Sequence, residues 1–142
     1  MRDAQADHAM TNRVLIVEDD LIIALDLEDM VTGYGFEVAG LASSLEHALT
    51  LAPESDIAFV DVNLSDGASG PAIGRILAED FGISVVFMTG NAEVVADGVR
   101  GTLGVVSKPV SPRTVEETLN YIAARRGNAV AAVPTMLRVF TD

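Results

Sequence analysis

Three consecutive acids, Glu18, Asp19 and Asp20, follow directly on the apolar run VLIV at 14–17, and a fourth, Asp61, ends a second run, IAFV at 57–60. If the two runs are neighbouring parallel strands, their acids arrive at the same edge of a sheet. Two unit charges about 4 Å apart repel by roughly 4 kcal/mol at an effective dielectric near 20, so gathering Glu18, Asp19 and Asp61 is costly unless a cation joins them. Hard carboxylate oxygens with open positions for water and phosphate suit Mg²⁺. Two further strand ends carry polar groups: Thr89 closes ISVVFM (83–88) beside Gly90, and Lys108 follows LGVV (103–106) and stands before Pro109. A carboxylate nucleophile, a divalent cation, a hydroxyl donor and a fixed ammonium can together accept a phosphoryl group and stabilise its oxygens.

Each residue also has a plainer role. Asp20 precedes a helical pattern and suits an N-cap. Glu18 and Asp19 are favourable charges near a helix start, Asp61 is a turn former, Thr89 a helix cap and Lys108 a solvated surface cation. None of these roles explains why the acids, the hydroxyl and the one lysine all fall at the carboxyl ends of apolar runs.

The elements that must position them alternate. The apolar runs 14–17, 36–41, 57–60, 83–88 and 103–106 read as strands, and the segments near 20–33, 44–52, 69–80, 92–99 and 112–125 read as helices. Ile23, Leu27, Met30 and Val31 share one face of the first helical segment. Strand and helix in alternation predict a parallel sheet with helices on both faces and right-handed crossovers. In such sheets ligands bind at the carboxyl ends of the strands, where the strand order reverses.

Composition narrows the function classes. A chain of 142 residues, 49% hydrophobic, suits one core and leaves no room for a second catalytic domain. With no cysteine there is no disulfide, zinc-thiolate site or cysteine nucleophile. His8 and His47 are too few and too far apart for a metal cluster. A net charge of −12, with eight arginines scattered except for Arg125 and Arg126 and with Lys108 as the single lysine, argues against nucleic acid as a direct partner. No apolar stretch reaches the roughly 18 residues of a membrane span, and MRDAQADHAM lacks the apolar core of a signal peptide. A cytoplasmic location with no membrane partner is the resulting expectation. Residues 1–12 read as a flexible N-terminal segment, 13–126 as the domain, and 127–142 as a tail whose AVAAVPTMLRVF stretch could form a short extra helix.

Taken in order, these motifs resemble the receiver domain of two-component response regulators, over about residues 13–126. The resemblance implies a flavodoxin-like (βα)5 doubly wound parallel sheet with strand order 2-1-3-4-5. It implies that Asp61 is the phosphoacceptor, that Glu18, Asp19 and Asp61 hold Mg²⁺ with the backbone carbonyl of Asn63, that Thr89 is the switch hydroxyl and Lys108 the phosphoryl-pairing lysine, and that the Lys108–Pro109 peptide is cis. It further implies a bacterial stand-alone domain that is not a conventional enzyme but catalyses its own phosphorylation and dephosphorylation. Such a domain takes its phosphoryl group from a histidine kinase or histidine phosphotransfer protein and signals through changed contacts with a downstream protein.

Several positions depart from the family pattern. Val105 stands where receivers often carry an aromatic partner to the threonine, Leu64-Ser65 replaces a frequent apolar-Pro pair, and Val110 replaces a frequent phenylalanine. Phe87, Thr89 and Gly90 partly match a receiver subgroup with a FATGY-like motif that also lacks the aromatic. Two other readings stay open. A haloacid-dehalogenase-like phosphatase also uses an aspartate after a strand, but needs an acid two residues later, where this chain has Asn63. A protein-interaction adaptor with a vestigial pocket would not need Glu18, Asp19, Asp61, Thr89 and Lys108 together.

Overall fold

The computed structural model describes residues 12–64 and 69–140. The flexible segment expected at the N-terminus lies, apart from Asn12, outside the described residues, as does Ser65. The five apolar runs form β1 (Arg13–Val17), β2 (Glu37–Ala42), β3 (Ile57–Asp61), β4 (Ser84–Thr89) and β5 (Gly104–Ser107). Between and after them lie α1 (Leu21–Gly33), α2 (Leu45–Leu51), α3 (Gly70–Phe81) and α4 (Pro112–Arg126). The strands pair in parallel in the expected flavodoxin-like order 2-1-3-4-5, extended by a sixth, antiparallel strand, β6 (Leu137–Val139), beside β5.

Period-2 alternation decides which side chain goes to which face. Leu15, Val17, Ala58, Val60, Val85 and Phe87 pack against α2 and α3. Val14, Ile16, Ile57, Phe59, Val86 and Met88 pack against Ala24, Leu27 and Val31 of α1 and Val115, Leu119 and Ile122 of α4. Central strands covered on both faces read as continuous apolar runs, and the helices carry their apolar side chains on one stripe. Local chemistry sets the helix ends. The Asp20 carboxylate caps α1 by accepting from the N–H groups of Ile22 and Ile23, and the Ser44 and Ser111 hydroxyls cap α2 and α4. Gly82 ends α3 in the left-handed region at φ 70°. No helix among the described residues is long and apolar enough to cross a membrane.

Two expectations are corrected. The helix expected over 92–99 is only a 3₁₀ turn, Ala92–Val95, capped by the Asn91 side chain. Gly98 and Gly101 adopt φ of 83°, which ends helical progress and leaves the segment as linked turns. Among its described residues the tail forms no extra helix. Residues 128–136 have no regular structure, and Leu137–Val139 joins the sheet. Pro134 interrupts any helix through this stretch, and the free edge of β5 offers Leu137–Val139 backbone partners.

Candidate functional site

The reversal of strand order falls between β1 and β3, since the chain leaves β1 for β2 on one side and returns to β3 on the other. Val17 sits opposite Val60 and Asp61 opposite Met88, so the residues just past β1 and at the ends of β3 and β4 share one edge of the sheet. Carboxylate oxygens of Glu18, Asp19 and Asp61 lie within 4.8 Å of one another there.

Glu18 and Asp61 are both buried, at 4% exposure each. Lys108 reaches in from the end of β5, with Nζ 2.9 Å from Glu18 Oε1 and 3.3 Å from Asp61 Oδ2. The second oxygens are held by backbone donors: Asp20 N–H donates to Glu18 Oε2 at 3.1 Å, and Asn63 N–H donates to Asp61 Oδ1 at 3.1 Å. Both carboxylates are thus fixed in orientation by a backbone N–H on one side and an ammonium on the other.

Burial pushes the Glu18 carboxyl above its ordinary range. The hydrogen bonds from Lys108 and the Asp20 N–H pull it down, and Asp61 pushes it up again, leaving it raised. For Lys108, burial acts to lower its affinity for a proton, but the hydrogen bond to Glu18 and the charges of Asp61 and Glu18 prevail, and it is raised. The ammonium is therefore charged and serves as the internal countercharge of the acids.

Thr89 lies at the end of β4 and is fully buried. Among the described residues both hydrogen bonds of its hydroxyl go to Asn91: it accepts from Asn91 N–H at 3.0 Å and donates to the Asn91 carbonyl at 3.3 Å. Its backbone carbonyl accepts from Lys108 N–H at 2.8 Å, which ties the ends of β4 and β5 together. The Lys108–Pro109 peptide is cis.

Gly70, at the start of α3, is a packing requirement of the site. A Cβ there would run into the Asp61 carbonyl oxygen and stand 2.6 Å from Val62 Cα. Only glycine lets α3 begin this close to the end of β3. Sequence reading did not single out Gly70, because the contact is with a backbone nine residues earlier and leaves no periodic signal. It also passed over Leu21 and Ile22, although it placed Ile23, Leu27 and Met30 on one apolar face. Leu21 and Ile22, in the first turn of α1, are 64% and 80% exposed, and a cleft of about 320 Å³ beside Lys108 is lined by Ile23, Leu27, Met30, Met88, Pro109 and Val110. The signal was the apolar pair Leu21-Ile22 directly after the acids, where a solvated first turn is usually polar.

Three carboxylates converging with a single lysine form a site of hard oxygen donors suited to a divalent cation. The response regulator receiver domain model matches residues 14–120. The chain is 33% identical over 123 residues to the phyllosphere-induced regulator PhyR of Methylorubrum extorquens, across 84% of this chain and 45% of that protein, so it spans less than half of that relative's length. It is 29% identical over 119 residues to the chemotaxis protein CheY of Thermotoga maritima, across 80% of this chain and 99% of that one. The solution structure of the REC domain of the Erythrobacter litoralis PhyR response regulator matches with a TM-score of 0.69 at 28% identity, covering 87% of this chain and 97% of that one.

Proposed function

Since this chain belongs to the response regulator receiver domain family, we propose that it accepts a phosphoryl group on Asp61 from a histidine kinase or histidine phosphotransfer protein and passes the signal on by protein contacts. The observation that carries this reading is the fixed orientation of Asp61, with Oδ1 held by Asn63 N–H and Oδ2 by Lys108 Nζ. A carboxylate pinned at both oxygens presents a defined lone pair to an incoming phosphorus.

An oxygen of Asp61 attacks the phosphorus, the bond from phosphorus to the donor's imidazole nitrogen breaks, and that nitrogen keeps the electron pair and takes a proton from solvent. The product is an acyl phosphate. Glu18, Asp19, Asp61 and the Asn63 carbonyl would hold Mg²⁺, which supplies positive charge for the phosphoryl oxygens. Lys108 exchanges part of its pairing with Glu18 and Asp61 for the new dianion, and the Thr89 hydroxyl gives up Asn91 to donate to it. Water then attacks the phosphorus, the bond between phosphorus and the Asp61 oxygen breaks, and inorganic phosphate leaves as the carboxylate returns. The exposed Leu21 and Ile22, beside the acids, suit the apolar face of a donor protein.

The test is intact-protein mass after incubation with a small acyl-phosphate donor. One phosphoryl group should be gained with Mg²⁺ and none with a chelator. Equal gain in both conditions would overturn the metal-dependent mechanism. No gain from the small donor or from any phosphorylated histidine phosphotransfer protein would favour the vestigial adaptor.

A further inference from the structure

The C-terminal strand is attached to the segment that the Thr89 hydroxyl is hydrogen-bonded to. Arg138 of β6 pairs with Val105 of β5, and Phe140 N–H donates to the Leu103 carbonyl at 2.9 Å. The Phe140 ring lies 6.4 Å from that of Phe87, centroid to centroid, and its Cγ would be 3.4 Å from a Cβ at Gly98. The Arg138 guanidinium donates to the Ala92 carbonyl at 3.4 Å. Ala92 opens the 3₁₀ turn capped by Asn91, and Asn91 is the residue that both holds and is held by the Thr89 hydroxyl. The strand therefore rests on the turn that Thr89 braces.

The attachment is built to be close but small. β6 has three residues, and the ten residues that lead to it, 127–136, have no regular structure. Clefts of about 370 and 410 Å³ adjoin Val139 and Phe140, which are only partly buried, and Leu137, 4% exposed, is the one buried residue that release would draw from the core. Gly104 shows that its seat is shaped for a backbone: a Cβ there would meet the Arg138 carbonyl and stand 3.1 Å from Val139 Cα. Without the strand, β5 would present a free sheet edge, a surface that pairs with extended segments.

We propose that Leu137–Phe140 is a releasable strap, which covers the β5 edge in the unphosphorylated chain and is loosened when Thr89 turns from Asn91 to a phosphoryl group, opening that edge to an extended segment of a downstream protein. The proposal rests on the phosphoacceptor reading above. With Thr89 withdrawn, Asn91 loses its brace, the Ala92 carbonyl shifts from Arg138, and the wall of Phe140's seat at Gly98 moves with it. Coupling of this kind is reciprocal, so loosening the strap must tighten phosphoryl binding.

Hydrogen exchange on the full chain, with Mg²⁺ and with or without beryllium fluoride as a phosphoryl stand-in, tests it. Activation should speed exchange at 137–140 and 104–106 by about fivefold or more. Gly104→Ala, whose added Cβ meets the strand's backbone first, should give the same exchange without activation and raise beryllium fluoride affinity by about fivefold or more. Phe140→Ala does the same should Gly104→Ala not fold. Beryllium fluoride binding with unchanged protection at 137–140 would overturn the strap alone, as would a freed strap with unchanged affinity. Failure of beryllium fluoride to bind at all would overturn the phosphoacceptor reading with it.

Discussion

Glu18 shows how much the site depends on a countercharge. Its carboxyl is raised above the ordinary value of 4.5 because burial outweighs the help of Lys108 and the Asp20 N–H. A folded-state value above the unfolded one means that the native metal-free protein binds this proton more tightly than the unfolded chain does. The contribution to stability is then full below about pH 4.5 and is lost as pH rises through the raised value. Glu18→Gln, neutral and of the same shape, should flatten that decline in melting temperatures measured without metal just above pH 4.5. An unchanged decline would assign it to other groups. Asp61→Asn should stabilise the metal-free protein by about 1 kcal/mol, the low end for relief of one charge pair near 4 Å, since Lys108 also loses a partner. In the parent protein, Mg²⁺ at a hundred times its dissociation constant should add about 2.7 kcal/mol. Asp61→Asn should lose most of that gain, as denaturant melts with and without Mg²⁺ would report.

At the scale of elements, the close approach of α3 to β3 is the fold's narrowest tolerance around the site. Gly70→Ala would place a Cβ 2.7 Å from the Val62 carbonyl oxygen, a backbone atom that cannot swing aside. A cost of about 1 to 3 kcal/mol is expected, together with a weaker Mg²⁺ response because the loop bearing Asp61 must shift. Urea melts would show whether both effects appear, and a neutral substitution would refute the packing account. The same elements explain what could be read in advance. The five parallel strands were legible because strands buried on both faces are written as unbroken apolar runs, and their terminal acids follow from them. Asp20 was legible as a cap from its position alone. The segment after Thr89 was not, because Gly98 and Gly101 override the apolar pattern of Ala92, Val94 and Val95 with turns. β6 was not, because three residues give too little alternation for a period to show and its pairing depends on a distant cleared space at Gly104. Val105, read in the sequence as a replaced signalling aromatic, proves to lie between Phe87 of β4 and Arg138 of β6. A strand now occupies the flank of the position where the aromatic would have stood.

Across the whole molecule, a net charge of −12 makes the native state repel itself, with the acids of the site as its sharpest local case. Monovalent salt should therefore raise the melting temperature modestly by general screening. Mg²⁺ at matched ionic strength should raise it further, and Asp61→Asn should remove only that excess. If sodium and magnesium salts act alike at equal ionic strength, the acids hold no specific ion. The central claim, however, is that one carboxylate of the four at the strand ends receives the phosphoryl group. It is tested most directly by locating the acyl phosphate: the phosphorylated chain is reduced with borohydride, which converts an aspartyl phosphate to homoserine, and the peptides are sequenced by mass. Homoserine at position 61, absent from Asp61→Ala, is the predicted result. Homoserine at position 19 or 20, or undiminished phosphorylation of Asp61→Ala, would contradict the assignment.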